Sequence, residues 1–394
     1  MNLLAPQDWT FPVPIAYGPG RLMEIAEFCK SANMTSPLII TDKGSADLPF
    51  VADLRKYLKQ GGLRAGLYFD ISPNPRDDEI AAGRAQYRNN GHDGIIALGG
   101  GSGMDGAKAV CLVANNEINL WEFDLDKSPP NMTGHPSFPP LICIPTTAGT
   151  GAETESTAMI TQTARKMKLC VWHPDLKPSL ALLDPELTLG LPPHLTAWTG
   201  ADAMVHAIEA YCVPMFHPLC DGAALESLRL AYRWLPIAVA EPENTEARGA
   251  MLVASCLGGI AFLKGLGLVH AISHMVGAEY NTQHGLTNAI ILPAALSFNA
   301  PDIQDKIKPM AQAMGLEDTS FDAFHSAICE LLDQLGIPTR LTEIDVPTDK
   351  TGVIAARARL DIAATTNPRP LTEEDIEEVL HRALTTGRPS ERAI

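Results

Sequence analysis

The second half of the chain carries acidic and imidazole side chains at helical spacing within apolar sequence. Asp202 and His206 are four residues apart, and His270 and His274 repeat this spacing further along the chain. Residues four apart lie on one face of an α-helix, so each pair presents two donor groups in the same direction. Another candidate, His284, follows after a short turn.

Carboxylate and imidazole together are typical ligands of iron(II), zinc and similar divalent ions. Burying a neutral polar group without a partner costs about 2–7 kcal/mol, and a bound metal would satisfy these groups. The spacing therefore predicts a metal site. Spacing alone leaves open which of the three later histidines are ligands. The remaining histidines of the chain show no such grouping.

The elements that must position these groups differ between the two halves of the chain. In the first half, short apolar runs bounded by turn residues predict buried strands at 37–42, 94–99 and 140–145. Helical patterns at 50–60 and 77–90 separate the first two strands. Strands separated by helices form parallel sheets, which bind ligands beyond the carboxyl ends of their strands.

The second half has a helical pattern with few strand-like runs. Helices are predicted over 196–212, 221–239 and 245–264. Asp184-Pro185 and Pro192-Pro193 punctuate the chain between the two patterns. We therefore predict an α/β domain over residues 1–190 and an all-α domain over residues 191–394. A cleft between two such domains is a common place for an active site.

A glycine-rich segment, Gly99–Gly106, follows the second predicted strand and opens a helix. Glycines let the backbone approach a phosphate closely, and a helix N-terminus offers free N–H groups. Gly101, Gly103 and Gly106 have the G-x-G-x-x-G spacing of a dinucleotide site. The usual fingerprint also needs an acid about 20 residues later, at the end of the next strand, and no strand is predicted there.

Asp42, at the end of the first predicted strand, is a different candidate for that acid. Its carboxylate could accept hydrogen bonds from a ribose 2′-hydroxyl and repel a 2′-phosphate. The alternative interpretation is an aspartate that caps a turn or a helix. The third strand is followed by Pro145–Glu153, a loop rich in hydroxyl groups and glycines that could line a phosphate or nicotinamide pocket.

The composition is that of a soluble globular enzyme, with 46% hydrophobic and 19% charged residues. The net charge of −16 would repel nucleic acid. The 8 cysteines include no C-x-x-C pair, which excludes a cysteine zinc knuckle and predicts reduced, mostly buried thiols in the cytoplasm. We find no signal peptide at the N-terminus and no uninterrupted apolar run of the ~20 residues that span a membrane.

Together these motifs resemble the iron-containing, group III alcohol dehydrogenase family over nearly the whole chain. The resemblance rests on Gly99–Asp105, Pro145–Glu153, Gly200–Glu209, Gly267–Gly285 and Asn367-Pro368-Arg369. It implies a dehydroquinate synthase-like architecture, in which a Rossmann-like N-terminal domain binds NAD and a helical C-terminal domain binds the metal.

The resemblance also implies roles for individual residues. The implied metal ligands are Asp202, His206, His270 and His284. His274 would be a catalytic residue close to the substrate and not itself a ligand. The implied cofactor contacts are Asp42, which favours NAD over NADP, together with Asn74, Gly100, Gly101, Ser102, Asp105, Thr146, Thr147, Thr150 and Lys168. Gly103, Ala152 and Ala364-Thr365 depart from the commonest form of the family, and the substrate pocket stays undefined.

The implied reaction is reversible hydride transfer between an alcohol and NAD, giving an aldehyde or ketone, with a divalent metal as Lewis acid. His274 either relays the alcohol proton or only positions a ligand. Four protein ligands, one more than catalytic zinc usually has, favour Fe²⁺, and Zn²⁺ is the alternative. We expect a cytoplasmic homodimer or higher homo-oligomer acting on a small alcohol or aldehyde, with no nucleic-acid or membrane partner.

Three other functions fit parts of the pattern less well. A lyase of the related dehydroquinate synthase type needs several basic residues around an acidic substrate, and the helices near the metal motif offer few. A reductase of the related maleylacetate type works without a metal, and the four ligand candidates argue against it. A non-catalytic metal- or nucleotide-binding protein would not need the hydroxyl-rich loop and His274.

Overall fold

The computed structural model of the protein describes residues 13–165 and 167–388. Two compact units comprise residues 13–147 with 151–190, and residues 148–150 with 191–388. The first unit contains a parallel β-sheet with helices, and the second is helical. The predicted fold class is therefore confirmed. The assignment of NAD binding to the first domain and metal binding to the second stays a prediction. The N-terminal residues in which we find no signal peptide lie outside the described ranges.

Six parallel strands form the main sheet of the first unit. They are β1 (Ile15–Tyr17), β2 (Pro37–Asp42), β3 (Gly66–Ile71), β4 (Gly94–Gly99), β5 (Leu141–Pro145) and β8 (Leu180–Leu183). Their order across the sheet is β1-β8-β5-β4-β2-β3. Two further strands, β6 (Thr157–Gln162) and β7 (Met167–Trp172), form a separate antiparallel hairpin.

Helices cover both faces of this sheet, as a parallel sheet requires. They are α1 (Ile25–Ser31), α2 (Pro49–Gln60), α3 (Asp77–Asn89) and α4 (Gly101–Ala114). Side chains alternate between the two faces of a strand, and β2 shows this directly. Leu38 and Ile40 pack in the apolar core with α3 and α4, whereas Ile39 packs in a second core with α1 and α2.

The strand order reverses between β2 and β4. The chain passes from β2 to β3 on one side, and then crosses back to place β4 on the other side of β2. In open parallel sheets, ligands bind at the carboxyl ends of the strands where the order reverses. Asp42 ends β2 and Gly99 ends β4, so both lie at this position.

The helices of the second unit are α5 (Pro193–Cys212), α6 (Pro218–Ala240), α7 (Thr245–Ala261), α8 (Leu268–Tyr280), α9 (His284–Asn299), α10 (Gln304–Ala313), α11 (Phe321–Gln334), α12 (Thr351–Ala358), α13 (Ile362–Thr366) and α14 (Glu373–His381). Helix α5 packs against α6, α7 and α9, and α8 packs against α9. The segment Thr245–Lys264, which is α7 with its following turn, is long and apolar enough to cross a membrane. Of its most apolar stretch, 67% is buried within the protein, as in the core helix of a globular protein.

The predicted strands at 37–42 and 94–99 coincide with β2 and β4, and the predicted helices at 50–60 and 77–90 with α2 and α3. The sequence did not reveal β1, β3 and β8 or the hairpin β6–β7. Strand β3 lies at an edge of the sheet and mixes buried with exposed residues, and β1 has 3 residues. Neither carries the continuous apolar run that marks a central strand.

Candidate metal centre and dinucleotide site

Three helices of the second unit bring four ligand candidates together. Asp202 and His206 lie on α5, His270 lies on α8, and His284 is the first residue of α9. One ligand atom from each residue lies within 4.8 Å of all the others. Asp202 Oδ1 is 3.7, 3.9 and 3.8 Å from Nε2 of His206, His270 and His284, respectively.

Local sequence explains how two of these groups arrive at the site. Pro193 suits the first turn of α5, and the helical spacing of Asp202 and His206 then directs both side chains to one face. Asn281 ends α8 in the left-handed conformation, and the Gln283 side chain caps α9 by accepting a hydrogen bond from the backbone. This turn places His284 at the start of the next helix.

Hydrogen bonds at the outer ring nitrogens set the tautomers of two imidazoles. The Nδ1 of His206 lies 3.2 Å from the carbonyl oxygen of Gly149. The Nδ1 of His270 lies 2.6 Å from the Glu209 carboxylate. Both partners accept hydrogen bonds, so each Nδ1 carries the proton and each Nε2 directs a lone pair into the cluster. This is the tautomer that a metal ligand needs.

Burial favours the neutral form of two of the imidazoles, those of His206 and His270. Asp202, His206 and His270 are 2%, 4% and 1% exposed. Desolvation lowers the pKa of His206 against the opposing effect of Asp202, and it lowers the pKa of His270 well below its usual value. The His284 side chain is 32% exposed, so the cluster is accessible from its side.

The contacts of Asn288, one turn after His284 on α9, show whether a cation fits this cluster. Its Nδ2 lies 2.6 Å from Asp202 Oδ1 and 3.1 Å from Nε2 of both His270 and His284. An amide nitrogen has two hydrogens, so it cannot satisfy three acceptors at once. A divalent cation would satisfy all the converging acceptors, and the residues therefore fit a metal.

His274 lies beside this cluster on α8. Its ring stacks on that of His284, with centroids 5.5 Å apart. Its Nδ1 lies 2.9 Å from a carboxylate oxygen of Asp361, whose other oxygen caps α13 by accepting a hydrogen bond from Ala363. Because the carboxylate accepts at Nδ1, the neutral form of the His274 ring has its lone pair at Nε2.

The turn between β4 and α4 in the first unit has the shape of a phosphate cradle. Gly99 has a φ of 136°, a backbone conformation that glycine adopts readily and residues with a side chain rarely adopt. A Cβ at Gly103 would lie 2.9 Å from the Leu98 carbonyl oxygen. Gly100, Gly101 and Ser102 are partly exposed, and α4 begins here without a capping side chain at Gly100. Its first N–H groups are therefore available to an anion.

Asp42 lies against this turn. Its Oδ2 would be 3.0 Å from a Cβ placed on Gly99. Its Oδ1 accepts hydrogen bonds from the backbone of Gly44 and Ser45, and its Oδ2 accepts one from the Ser45 hydroxyl. The turn-capping interpretation of Asp42 thus describes its present contacts, and its position beside the glycine turn leaves the ribose-binding role open.

Three further candidates gather around β3 and the β6–β7 hairpin. Lys168 Nζ lies 3.3 Å from the side-chain oxygen of Asn74. Burial raises the pKa of Asp105, and the ammonium groups of Lys108 and Lys168 oppose this rise. Burial also lowers the pKa of Lys168, against the opposing charge of Asp105. The structure therefore brings together a carboxylate, an amide and an ammonium group that the sequence separates by up to 94 residues.

The hydroxyl-rich loop divides between the two units. Thr146 and Thr147 follow β5 in the first unit, and a Cβ at Gly100 would lie 3.3 Å from the Thr147 hydroxyl. The Thr146 backbone N–H donates to the Gly99 carbonyl, which holds the loop against the glycine turn. Thr150 belongs with Ala148–Thr150 to the second unit.

Glu153 lies at the end of this loop and is buried. Its burial predicts that the stability of the protein depends on pH. Desolvation raises its pKa to about 7, and its Oε1 has no hydrogen-bond partner among the described residues. A raised pKa means that the folded state binds the proton more tightly than the unfolded state. The resulting stabilisation is present below pH ~4.5 and is lost as the pH rises through about 7, a change of up to roughly 3 kcal/mol.

Glu153→Gln is therefore expected to gain stability relative to the wild type as the pH rises from 5 to 8. Denaturant unfolding at both pH values measures this difference. Glu122→Gln, at an exposed glutamate, is the control and should follow the wild type. Parallel pH curves for Glu153→Gln and the wild type would show that Glu153 is ionised in the folded protein.

Sequence reasoning gave no role to three residues that contact the metal cluster or His274. Glu209 lies three residues after His206 on α5, and Asn288 lies four residues after His284 on α9. Both spacings are helical and could have revealed them. Asp361 has no local signal, because 87 residues separate it from its partner His274.

Comparison with known proteins identifies the family. Residues 12–185 match the iron-containing alcohol dehydrogenase family, and residues 196–384 match the C-terminal region of the Fe-containing alcohol dehydrogenase family. The NAD-dependent methanol dehydrogenase of Bacillus methanolicus is 35% identical over 386 residues, which cover 96% of this chain and 100% of the relative. The 1,3-propanediol dehydrogenase of Klebsiella pneumoniae is 32% identical and covers 95% and 98%.

Solved structures agree with this identification. A crystal structure of 1,3-propanediol oxidoreductase has a TM-score of 0.92 at 32% identity, covering 96% of this chain and 100% of that chain. The sulfoacetaldehyde reductase of Bifidobacterium kashiwanohense, in complex with NAD⁺, has a TM-score of 0.87 at 29% identity and covers 97% and 99%. The chain belongs to the iron-containing alcohol dehydrogenase family of NAD-dependent oxidoreductases.

Proposed function

We propose that this chain is a metal-dependent dehydrogenase that interconverts a small primary alcohol and its aldehyde with NAD(H). The proposal rests on one observation above all: four buried or half-buried acceptor atoms from three helices converge within 4.8 Å. Two of the imidazoles are held in the tautomer that binds a metal. We assign Asp202, His206, His270 and His284 as the ligands.

A divalent metal bound there would act as a Lewis acid that lowers the pKa of the substrate alcohol. The residues of the chain supply the rest of the chemistry. Neutral imidazoles and a single carboxylate would leave a bound dication with net positive charge, which would favour an anionic oxygen. We propose Fe²⁺ as the resident ion, since four protein ligands exceed the usual number at catalytic zinc, and Zn²⁺ is the alternative.

We assign His274 as the residue that accepts the alcohol proton at Nε2, because its Nδ1 is already engaged by Asp361. His274→Ala is expected to lower kcat by about 100-fold or more, in the range of general acid–base catalysis, while the metal content stays unchanged. Steady-state kinetics and metal analysis measure the two effects. A variant that retains the wild-type pH–rate profile would show that His274 only positions a neighbour.

We propose that NAD binds at the glycine turn between β4 and α4. The cofactor contacts would be Asp42, Asn74, Gly100, Gly101, Ser102, Asp105, Thr146, Thr147, Thr150 and Lys168. The free N–H groups at the start of α4 suit a diphosphate, and Asn74, Asp105 and Lys168 offer polar groups at the same end of the sheet.

Asp42→Asn tests the choice between NAD and NADP. The amide keeps a carbonyl oxygen for the backbone donors of Gly44 and Ser45, but it removes the charge that repels a 2′-phosphate. We expect the ratio of kcat/KM for NADP to that for NAD to rise about tenfold, equivalent to about 1.4 kcal/mol. Asp53→Asn, at a partly exposed position of α2, is the control. An unchanged ratio would exclude Asp42 as the selecting residue.

Several relatives suggest the substrate class. Three of them are named for activity on methanol, 4-hydroxybutyrate and 1,3-propanediol, all of which carry a primary alcohol. We propose a cytoplasmic enzyme, which the burial of every cysteine except Cys170 supports, and a homodimer or higher homo-oligomer. Sedimentation of the purified protein tests the oligomeric state.

The deciding experiment assays the purified protein with NAD and a panel of primary, secondary and polyhydric alcohols, after loading with Fe²⁺ or Zn²⁺. The same panel of aldehydes is assayed with NADH. Metal-dependent turnover of primary alcohols would support the proposal. Turnover that persists after chelation would overturn the metal mechanism, and turnover restricted to secondary alcohols would overturn the substrate class.

A further inference from the structure

Glu209 lies on the same face of α5 as two of the proposed metal ligands. It follows Asp202 by seven residues and His206 by three, which are both helical spacings. Its side chain does not point into the ligand cluster. It reaches across to the first turn of α8, the helix that carries His270.

Both oxygens of this carboxylate are engaged there. Oε1 accepts a hydrogen bond from the Val269 backbone N–H at 2.7 Å. Oε2 accepts one from His270 Nδ1 at 2.6 Å and a longer one from the His270 backbone N–H at 3.3 Å. Glu209 is 6% exposed, so these contacts are formed away from water. Each partner is an N–H donor, and a carboxylate can accept from all of them without presenting a competing O–H.

We propose that Glu209 is a positioning residue that fixes both the tautomer and the location of His270, so that metal affinity depends on it. This inference rests on the proposed metal site. The proton on Nδ1 must stay there for Nε2 to keep its lone pair toward Asp202 and the other ligands. A carboxylate that only accepts enforces this tautomer, and the backbone contacts hold the helix turn that carries the ring.

The sequence around α8 explains why a residue from another helix is needed. Gly267 precedes the helix and has no side chain with which to cap it. A Cβ at Gly267 would lie 2.9 Å from both Glu209 Oε1 and Asn367 Oδ1. Asn367 accepts a hydrogen bond from the Leu268 N–H at 3.0 Å. Two distant side chains therefore cap α8 together, and only Glu209 also contacts a metal ligand.

Glu209→Gln tests the contacts with Val269 and His270, because an amide has one oxygen and one N–H₂ group and cannot accept hydrogen bonds at both ends. If the oxygen faces Val269, the amide N–H₂ faces His270 Nδ1 and drives the ring proton to Nε2, where it blocks metal binding. If the oxygen faces His270, the N–H₂ group opposes the Val269 N–H and loosens the first turn of α8. Neither orientation reproduces the contacts of the carboxylate.

The test measures Co²⁺ binding to the whole purified chain after its metal is removed. Visible absorption reports the coordination of Co²⁺, and competition with a chromophoric chelator gives its affinity. Glu209→Gln is expected to weaken Co²⁺ binding by about 10- to 100-fold and to alter the spectrum. Glu209→Asp keeps the charge on a shorter side chain and should recover part of the affinity.

Asn367→Ala is the matched control, because it removes the other cap of α8 without touching His270. It should unfold more readily than the wild type and still bind Co²⁺ within about twofold of the wild-type affinity. Circular dichroism and thermal unfolding of every variant establish that each chain is folded before titration.

The outcomes distinguish this inference from the proposed function. If folded wild-type protein fails to bind Co²⁺, the metal site itself is wrong. If the wild type binds Co²⁺ and Glu209→Gln binds it equally with the same spectrum, the metal site stands and the role of Glu209 is refuted. Equal losses of affinity in Glu209→Gln and Asn367→Ala would show that helix capping alone is responsible, which also overturns the proposal.

Discussion

His270→Ala is expected to lower kcat/KM for alcohol oxidation by about 1000-fold or more. His270 is 1% exposed and contributes Nε2 to the ligand cluster. Its removal leaves three ligand groups and a cavity beside the Asp202 carboxylate. Lewis-acid stabilisation of the transition state amounts to several kcal/mol, and each 1.36 kcal/mol corresponds to a factor of ten.

The measurement combines steady-state kinetics with elemental analysis of the purified variant, which should contain little metal. Dialysis of the wild type against a chelator should reproduce the loss of activity, and Fe²⁺ or Zn²⁺ should restore it. His135→Ala, at an exposed histidine, is the control and should retain both metal and activity. A His270→Ala protein with full metal content and full activity would exclude His270 as a ligand.

Gly285→Ala is expected to destabilise the protein by roughly 1–3 kcal/mol and to abolish tight metal binding. Gly285 is the second residue of α9, directly after His284. A Cβ at this position would overlap the backbone carbonyl oxygen of Trp198 and would lie 3.0 Å from Asp202 Cβ. A backbone carbonyl in the middle of α5 cannot rotate away, so α9 must move and carry His284 away from Asp202.

Denaturant unfolding and metal analysis measure the two effects separately. Gly222→Ala is the matched control, since a Cβ at Gly222 on α6 meets nothing within 4 Å in the part of the chain that the structure describes. Alanine is the better helix former, so this control should be neutral or more stable by about 0.5–1 kcal/mol. If Gly285→Ala behaves like Gly222→Ala, the close approach of α9 to α5 does not control the metal cluster.

The position of α5 affects both His206, which it carries, and His270, which lies on α8. One face of this helix carries two proposed ligands and Glu209, so a displacement of α5 would affect His206 directly and His270 through hydrogen bonds. The Gly149 carbonyl, which sets the tautomer of His206, is held close to Thr199 on the same helix. The tautomers of two ligands therefore depend on the position of a single helix.

The sequence alone was sufficient to predict the class of the fold and part of each site. Strands β2 and β4 are buried on both faces and are therefore apolar throughout, which makes them visible as short apolar runs. The pairing of Asp202 with His206 follows from the 3.6-residue period of a helix, which is a local property. The glycine turn after β4 is equally local, since it depends on a few adjacent backbone conformations.

The tertiary structure alone decided which distant groups meet. Asp42 was a candidate acid from its position at the end of a predicted strand, but it reaches the glycine turn because β2 and β4 are neighbours in the sheet, which the sequence did not establish. Asp361 meets His274 across 87 residues, and Glu209 meets His270 across 61. Sequence spacing is informative only within one helix or strand, whereas these contacts depend on how separate elements pack. The helical pair His270 and His274 shows the difference, because both share one face of α8 and yet only His270 joins the cluster around Asp202.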